Sequence, residues 1–321
     1  MKAFVTGATG FLGGLLIREL VADGVPVRAL VRAGSDTRLL DGLAVERAEG
    51  DLRDRESLHA AMDGCDTLFH VAAFYSAREE DGSLMYEINV AGTRNVLQTA
   101  SVLRYARVVH TSTIGTIGRP SDGSLPNEEV EFNLWDTCSH YVRSKYLAEL
   151  VAVNTAREGL PVVVVNPTSP IGAGDVKPSS SGKRVLDALE GKLPSFPPGG
   201  LNLVAAQDVA RGHILASHRG RIGQRYILGN VNGNMTLDEF LRLLSEATGI
   251  PAAQPPRESP MGAVRRALKK PAPATGHLPA ALTCDCRRAV EELGMPQSPL
   301  KQALVEAAAW FRDNGYLGSG R

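Results

Sequence analysis

Three glycines constrain this chain more than any other feature. Gly7, Gly10 and Gly13 lie between a short apolar run, Ala3–Val5, and a helical pattern, Phe11–Ala22. Glycine at such a join lets the backbone turn tightly and lets a ligand approach main-chain N–H groups with no Cβ in the way. It also lets the helix lie close to the strand. The unpaired N–H groups and positive dipole end of a helix placed there favour a phosphate. As the first strand–turn–helix of the chain, this segment predicts a cradle for a dinucleotide pyrophosphate. Its spacing is Gly-x-x-Gly-x-x-Gly, wider than the Gly-x-Gly-x-x-Gly fingerprint.

The alternation continues downstream. Val25–Val31, Val45–Ala48, Thr67–Val71 and Val108–His110 read as buried strands, and Pro161–Val165 adds an unbroken run of valines. Helical patterns at Arg55–Met62, Leu84–Leu103 and Tyr141–Glu158 fall between them. Repeated βα units predict an α/β protein with a doubly wound parallel sheet of Rossmann type. After Asn166 the pattern changes. Pro167–Gly182, rich in Pro, Gly and Ser, is predicted as a loop. Lys183–Leu193, Thr236–Ala247, Met261–Leu268 and Leu300–Asn314 are predicted as helices and Arg225–Leu228 as a strand. The expected division is a dinucleotide-binding domain over 1–166, to which parts of 200–230 return, and a smaller C-terminal substrate-binding lobe over 167–321.

Composition removes several function classes. The 35 basic side chains balance 35 acidic ones, which gives no electrostatic case for nucleic acid. No apolar run approaches the roughly 18 residues that cross a bilayer. The first residues run directly into a strand pattern instead of a secretory leader. The expectation is a cytoplasmic protein with no membrane partner. The four cysteines, Cys65, Cys138, Cys284 and Cys286, are too few for a disulfide framework. Cys284-Asp285-Cys286 has no second Cys/His pair at ligand spacing, so no metal site is expected. Arg265, Arg266, Lys269 and Lys270 read as a solvated helix face.

The cradle residues expected to meet the cofactor are Gly7, Thr9, Gly10, Phe11 and Leu12. The end of the second strand indicates which dinucleotide is used. An acidic residue there binds a ribose 2′-hydroxyl, but this chain has Leu30-Val31-Arg32. A guanidinium suits a 2′-phosphate by charge and by bidentate geometry, so NADP(H) is expected over NAD(H). Asp51, after the third strand, fits either an adenine amino group or the cap of the next helix.

Tyr141 and Lys145 are four residues apart on a helical stretch and share one face. A phenol with its usual pKa near 10 is a poor acid/base at neutral pH, and a nearby ammonium is expected to lower it. The tyrosine then exchanges a proton with a substrate oxygen as hydride moves to or from a nicotinamide. Thr111-Ser112-Thr113 sits at the end of the fifth strand, where open α/β sheets bind ligands. A hydroxyl there orients a substrate carbonyl, and periodicity does not choose among the three.

These motifs resemble the extended short-chain dehydrogenase/reductase family. Thr6–Gly13 matches its TGxxGxxG motif and Tyr141–Lys145 its YxxxK motif. The resemblance implies that Thr113 is the catalytic hydroxyl beside Tyr141 and Lys145, with Ile117 in place of the family's usual Tyr. It implies that Asp51-Leu52 contacts the adenine and that His70–Ala73, with Ala72, passes the adenine ribose. Tyr141, Lys145 and Pro167 would lie by the nicotinamide end, Asn89 would be structural, and the helices Leu84–Leu103 and Tyr141–Glu158 would pair in a homodimer. Leu30-Val31-Arg32 is similar to carbonyl reductases of the dihydroflavonol-reductase and 3β-hydroxysteroid-dehydrogenase branch. Asn166–Pro178 and Gly200–Leu203 resemble hopanoid-associated proteins labelled sugar epimerases. Nucleotide-sugar epimerases usually place an Arg and a His where this chain has Leu201 and Ala205, so a diphosphate would lose its expected cation.

The expected function is therefore an NADP(H)-dependent oxidoreductase interconverting a carbonyl and a secondary alcohol on a small, fairly apolar substrate. Phe74, Tyr75, Cys138 and the Thr168–Lys177 loop are expected to shape its pocket. The alternatives are an NAD-dependent sugar epimerase or dehydratase of the same fold, and a catalytically silent nicotinamide-sensing protein.

Overall fold

The computed structural model describes residues 1–251 and 281–317. The expected helix Met261–Leu268 and the basic cluster Arg265–Lys270 lie outside the described residues. In chain order, β1 (Ala3–Thr6) leads through the glycine turn into α1 (Phe11–Ala22), then β2 (Val27–Val31), β3 (Val45–Glu49) and α2 (Arg55–Met62). Next come β4 (Thr67–His70), α3 (Gly82–Tyr86), α4 (Gly92–Val102), β5 (Arg107–Thr111), α5 (His140–Arg157) and β6 (Val162–Pro167). The remainder runs β7 (Ser169–Ile171), α6 (Ser180–Leu189), β8 (Leu201–Ala205), α7 (Ala206–Arg219), β9 (Arg225–Leu228), β10 (Asn234–Met235), α8 (Leu237–Thr248) and α9 (Leu300–Asp313).

Seven strands form one parallel sheet in the order β3-β2-β1-β4-β5-β6-β9. Apart from the edge strand β3, which is largely exposed, both faces of the sheet are buried, which explains why the other strands read as apolar runs instead of alternating patterns. Val5, Ala29, Phe69, Val109 and Val163 face α1 and α7. Phe4, Leu30, Leu68, Val108 and Val164 face α2, α4 and α5. The strand order reverses between β1 and β4, and the crevice beyond their C-terminal ends is where such sheets bind ligands. A second core joins α6, α8 and α9 to a three-stranded sheet, β10-β8-β7, and forms the smaller lobe.

Several elements differ from expectation. The predicted loop Pro167–Gly182 contains β7, because Ser169–Ile171 pairs with β8. β8 and α7 escaped notice because Ala205 joins strand to helix with no capping side chain, glycine or proline to mark the change. The expected helix Leu84–Leu103 is α3 and α4 joined by a π-helical turn at Glu87–Ala91. Ser179 caps α6 three residues before the predicted start, and Gly191, at φ +74°, follows its end. α7 and β9 lie in the layers of the large sheet, although the chain reaches them only after building part of the small lobe.

Candidate active site

The glycine turn is as crowded as the spacing suggests. Gly7 has φ +73°, and a Cβ there would lie 2.7 Å from Ala72 N, across the gap between β1 and β4. A Cβ on Gly13 would lie 2.1 Å from Gly7 O, so only glycine allows α1 to start against the turn. Gly10 is the N-cap, no side chain caps the helix, and its first turn holds no acidic residue. The N-terminus thus keeps its unpaired N–H groups and positive field unopposed, with Thr9, Phe11 and Leu12 half-buried around it. These features fit a dinucleotide pyrophosphate.

At the adenosine end, Arg32 is exposed, and the carboxylate acting on it is Asp51. Asp51 is held by a bidentate bond from Arg53 at 3.0 and 2.8 Å, which keeps its pKa at about 2. It does not cap the following helix: Asp54 does, accepting from Glu56 N at 3.0 Å and Ser57 N at 3.3 Å. Leu52 is buried beneath α4, where Gly92 leaves room for it.

The strip after β4 is tied from both sides. Ala72 N donates to Thr6 Oγ1 at 3.2 Å. Asn89, buried in the π-helical turn, accepts from Phe74 N at 2.7 Å and donates to Phe74 O at 2.9 Å. It also donates to Ser144 Oγ at 2.9 Å, on α5 between Tyr141 and Lys145. One amide therefore positions the strip against the acid/base helix. This leaves the Tyr75 ring edge-on to Tyr141, with centroids 5.0 Å apart.

Tyr141 and Lys145, four residues apart on α5, share a face, and the Lys145 ammonium is held by a strand carbonyl. Lys145 is 2% exposed, and its Nζ donates to Thr111 O at 2.7 Å, at the end of β5. Desolvation holds its pKa down to about 8, against Glu149, which favours the charged form. The expected lowering of the Tyr141 pKa by Lys145 is not found. Desolvation, with a smaller contribution from Tyr75, pushes the phenol up to about 12. Loss of water outweighs a cation aimed at a strand carbonyl, so the free protein carries Tyr141 as a proton donor.

The structure separates the three hydroxyls after β5. Thr111 Oγ1 lies 2.9 Å from His213 Nε2 in the opposite layer, and Ser112 Oγ lies 3.2 Å from Thr116 Oγ1. Both side chains are buried, whereas Thr113 is half-buried. Its Oγ1 accepts from Gly115 N at 3.3 Å, which uses a lone pair and not the hydroxyl proton. The turn it caps, Ile114–Thr116, packs on Val142, the neighbour of Tyr141, where a Cβ on Gly115 would lie 3.1 Å from Val142 Cγ2.

Behind this turn lies a network that sequence reasoning missed. Glu149, 3% exposed, accepts from Thr116 Oγ1 at 2.6 Å, Asn166 Nδ2 at 2.9 Å and Arg225 Nη1 at 3.3 Å. Asn166 Nδ2 and Thr116 Oγ1 also reach Thr113 O, at 3.2 and 2.8 Å. The amide nitrogen of Asn166 is thus spent on the interior. Spacing alone held one clue, since Glu149 lies one helical turn beyond Lys145. Below Lys145, His70 is hydrogen-bonded to Thr6 and Thr93, and its ring lies 5.3 Å from that of His110.

The remaining expected site residues fall as follows. Pro167 is the buried last residue of β6 and pairs with Leu228. Ile117, Leu201 and Ala205 are buried among apolar side chains. Phe74 is half-buried, and the half-buried Cys138 faces Trp135 O. Gly174, in the Thr168–Lys177 loop, lies over the Phe11 ring. All four cysteines are free thiols. No described helix is long and apolar enough to cross a membrane.

This arrangement agrees with comparisons to known proteins. The model of the NAD dependent epimerase/dehydratase family matches residues 3–229. A Synechocystis sp. protein with the provisional name dihydroflavonol 4-reductase is 39% identical, over 98% of this chain and 95% of its own. Sterol demethylase protein B of Methylococcus capsulatus is 37% identical, over 99% of this chain and 100% of its own. The solved structure of a nucleoside-diphosphate-sugar epimerase from Pseudomonas aeruginosa is 29% identical, covers 99% of both chains and superposes with a TM-score of 0.80. The chain belongs to the NAD-dependent epimerase/dehydratase family within the extended short-chain dehydrogenases/reductases, and it is an NAD(P)-dependent enzyme.

Proposed function

We propose that this enzyme uses NADP(H) to interconvert a carbonyl and a secondary alcohol on a small substrate of largely apolar body. The observation that supports the reading is that the turn capped by Thr113, at the C-terminal end of β5, packs through Gly115 on Val142, the neighbour of Tyr141. The cofactor supplies or accepts the hydride. Tyr141 donates the proton to the carbonyl oxygen, Thr113 donates a hydrogen bond to the same oxygen, and Lys145 holds the cofactor ribose. Arg32 and Arg53 take the 2′-phosphate. The reductase name carried by one relative supports this direction of chemistry. Leu201 and Ala205, both buried, offer no cation to a diphosphate, which weighs against a nucleotide-sugar substrate. By the same reading the enzyme is a cytoplasmic homodimer paired through α4 and α5.

The test is a carbonyl-compound screen that follows NADPH absorbance, with parallel titrations of NADPH and NADH. Turnover with tighter NADPH binding is expected. Tighter NADH binding removes the cofactor assignment. Conversion of a nucleotide sugar with no net change in cofactor absorbance makes the enzyme an epimerase, and cofactor binding with no turnover of any class makes it a sensing protein.

A further inference from the structure

Arg184 stands apart from the other arginines withdrawn from water. Arg28 faces Glu46, Arg225 faces Glu149, and Arg288 faces Glu128 and Glu129. Arg107 and Arg119 spend their donors on main-chain carbonyls, and Arg143 donates its Nε to Trp135 O with its guanidinium 5.7 Å from the Trp135 ring centroid. Arg184 is half-buried, and its Nε donates to Ser195 O at 2.9 Å. Its two terminal nitrogens have no hydrogen-bond or ion-pair partner among the described residues. α6 fixes its position by burying Val185, Ala188 and Leu189 in the small lobe, which sets Arg184 at the edge of that face.

Burial pushes the Arg184 guanidinium pKa down, and the one titratable group that acts back on it is the Tyr75 hydroxyl. The Tyr75 ring is the one that meets Tyr141 edge-on at 5.0 Å. A cation drawn out of water with no counter-charge is costly, and it is retained where a ligand supplies the missing charge. The free end of a guanidinium is a two-pronged donor that matches a carboxylate. A single cation balances one negative charge, which suits a carboxylate better than a diphosphate.

We propose that Arg184 and the Tyr75 hydroxyl form an anion anchor for a carboxylate carried by an otherwise apolar carbonyl substrate. This rests on the reductase reading and gives its largely apolar substrate one anionic handle. The anchor holds the carboxylate on the small-lobe side of the Tyr75 ring, and the reacting carbonyl lies on the Tyr141 side.

Calorimetric titration of the full chain, saturated with NADP+, tests the proposal with benzoate, 2-naphthoate and 4-phenylbutanoate, each beside its methyl ester. The acids are expected to bind about 10- to 100-fold more tightly than the esters, the range of a charge-assisted hydrogen-bond pair. Arg184→Met is expected to remove that preference, and Arg184→Lys and Tyr75→Phe to reduce it. Equal binding of acids and esters by the unaltered protein overturns the anchor, as does an undiminished preference in Arg184→Met. Should Arg184→Met fail to fold, an undiminished preference in both Arg184→Lys and Tyr75→Phe overturns it equally. Failure to bind NADP(H) sinks the reductase reading instead, and the acid–ester comparison on the free protein still decides the anchor.

Discussion

At the scale of single residues, the site is governed by burial more than by the charges within it. Tyr141 holds its proton up to about pH 12 in the free enzyme, so it is ready to donate across the neutral range. Tyr141→Phe is expected to lower kcat for carbonyl reduction by about 10²- to 10⁴-fold with NADPH affinity unchanged, in steady-state assays paired with cofactor titration. Near-normal turnover would remove Tyr141 from the chemistry. Lys145 gives a pH signature of opposite origin. Its folded pKa is about 8 against the ordinary lysine value of 10.5, so the unfolded chain binds the proton more tightly in that window. Stability relative to Lys145→Met therefore rises as pH climbs from about 8 to 10.5, and a flat difference in urea melts would show that the ammonium is not desolvated. The resemblance named Tyr141, Lys145 and Thr113 but not Arg184, whose meaning comes from what it fails to touch. A missing partner is invisible in sequence.

At the scale of elements, α5 does two jobs. Its first two turns carry Tyr141 and Lys145, and its middle carries Glu149, which grips the turn below Thr113. The Glu149–Arg225 pair is buried, with side-chain exposures of 4% and 18%. Removing one member of such a pair leaves an uncompensated charge, at a cost of about 3–5 kcal/mol. Glu149→Leu should therefore destabilise strongly in denaturant melts, and the double variant with Arg225→Met should recover much of the loss. A double variant as unstable as the single would mean that the hydrogen bonds to Thr116 and Asn166 dominate. Strands and helices of the large sheet were legible because burial on both faces writes apolar runs and helical periodicity into the chain. β7 and β10 were not, because strands of two or three residues carry too little pattern to be told from loop, and β8 was not, because it passes through Ala205 into α7 with no boundary residue.

At the scale of the whole molecule, three histidines are locked neutral inside the fold. Desolvation holds His70 at about 3 and His213 at about 4, and pushes His110 well below its usual value. Unfolding lets each take up a proton near pH 6.5, so acid favours the unfolded chain. Stability should fall as pH drops from about 6.5 toward 4, and His213→Gln should flatten that slope in thermal melts; an unchanged slope would place the acid sensitivity elsewhere. The sequence by itself determined the parallel βα architecture, the glycine cradle and the identity of the Tyr/Lys pair. Local spacing and hydrophobic period are properties of contiguous residues, so they survive without coordinates. Only the tertiary structure decided that Thr111 and Ser112 spend their hydroxyls inside the fold while Thr113 stays half-buried, that Asp54 and not Asp51 caps α2, and that burial raises the Tyr141 pKa despite Lys145. Each depends on which distant side chains exclude water or supply a partner, and that information exists only once the chain has folded upon itself.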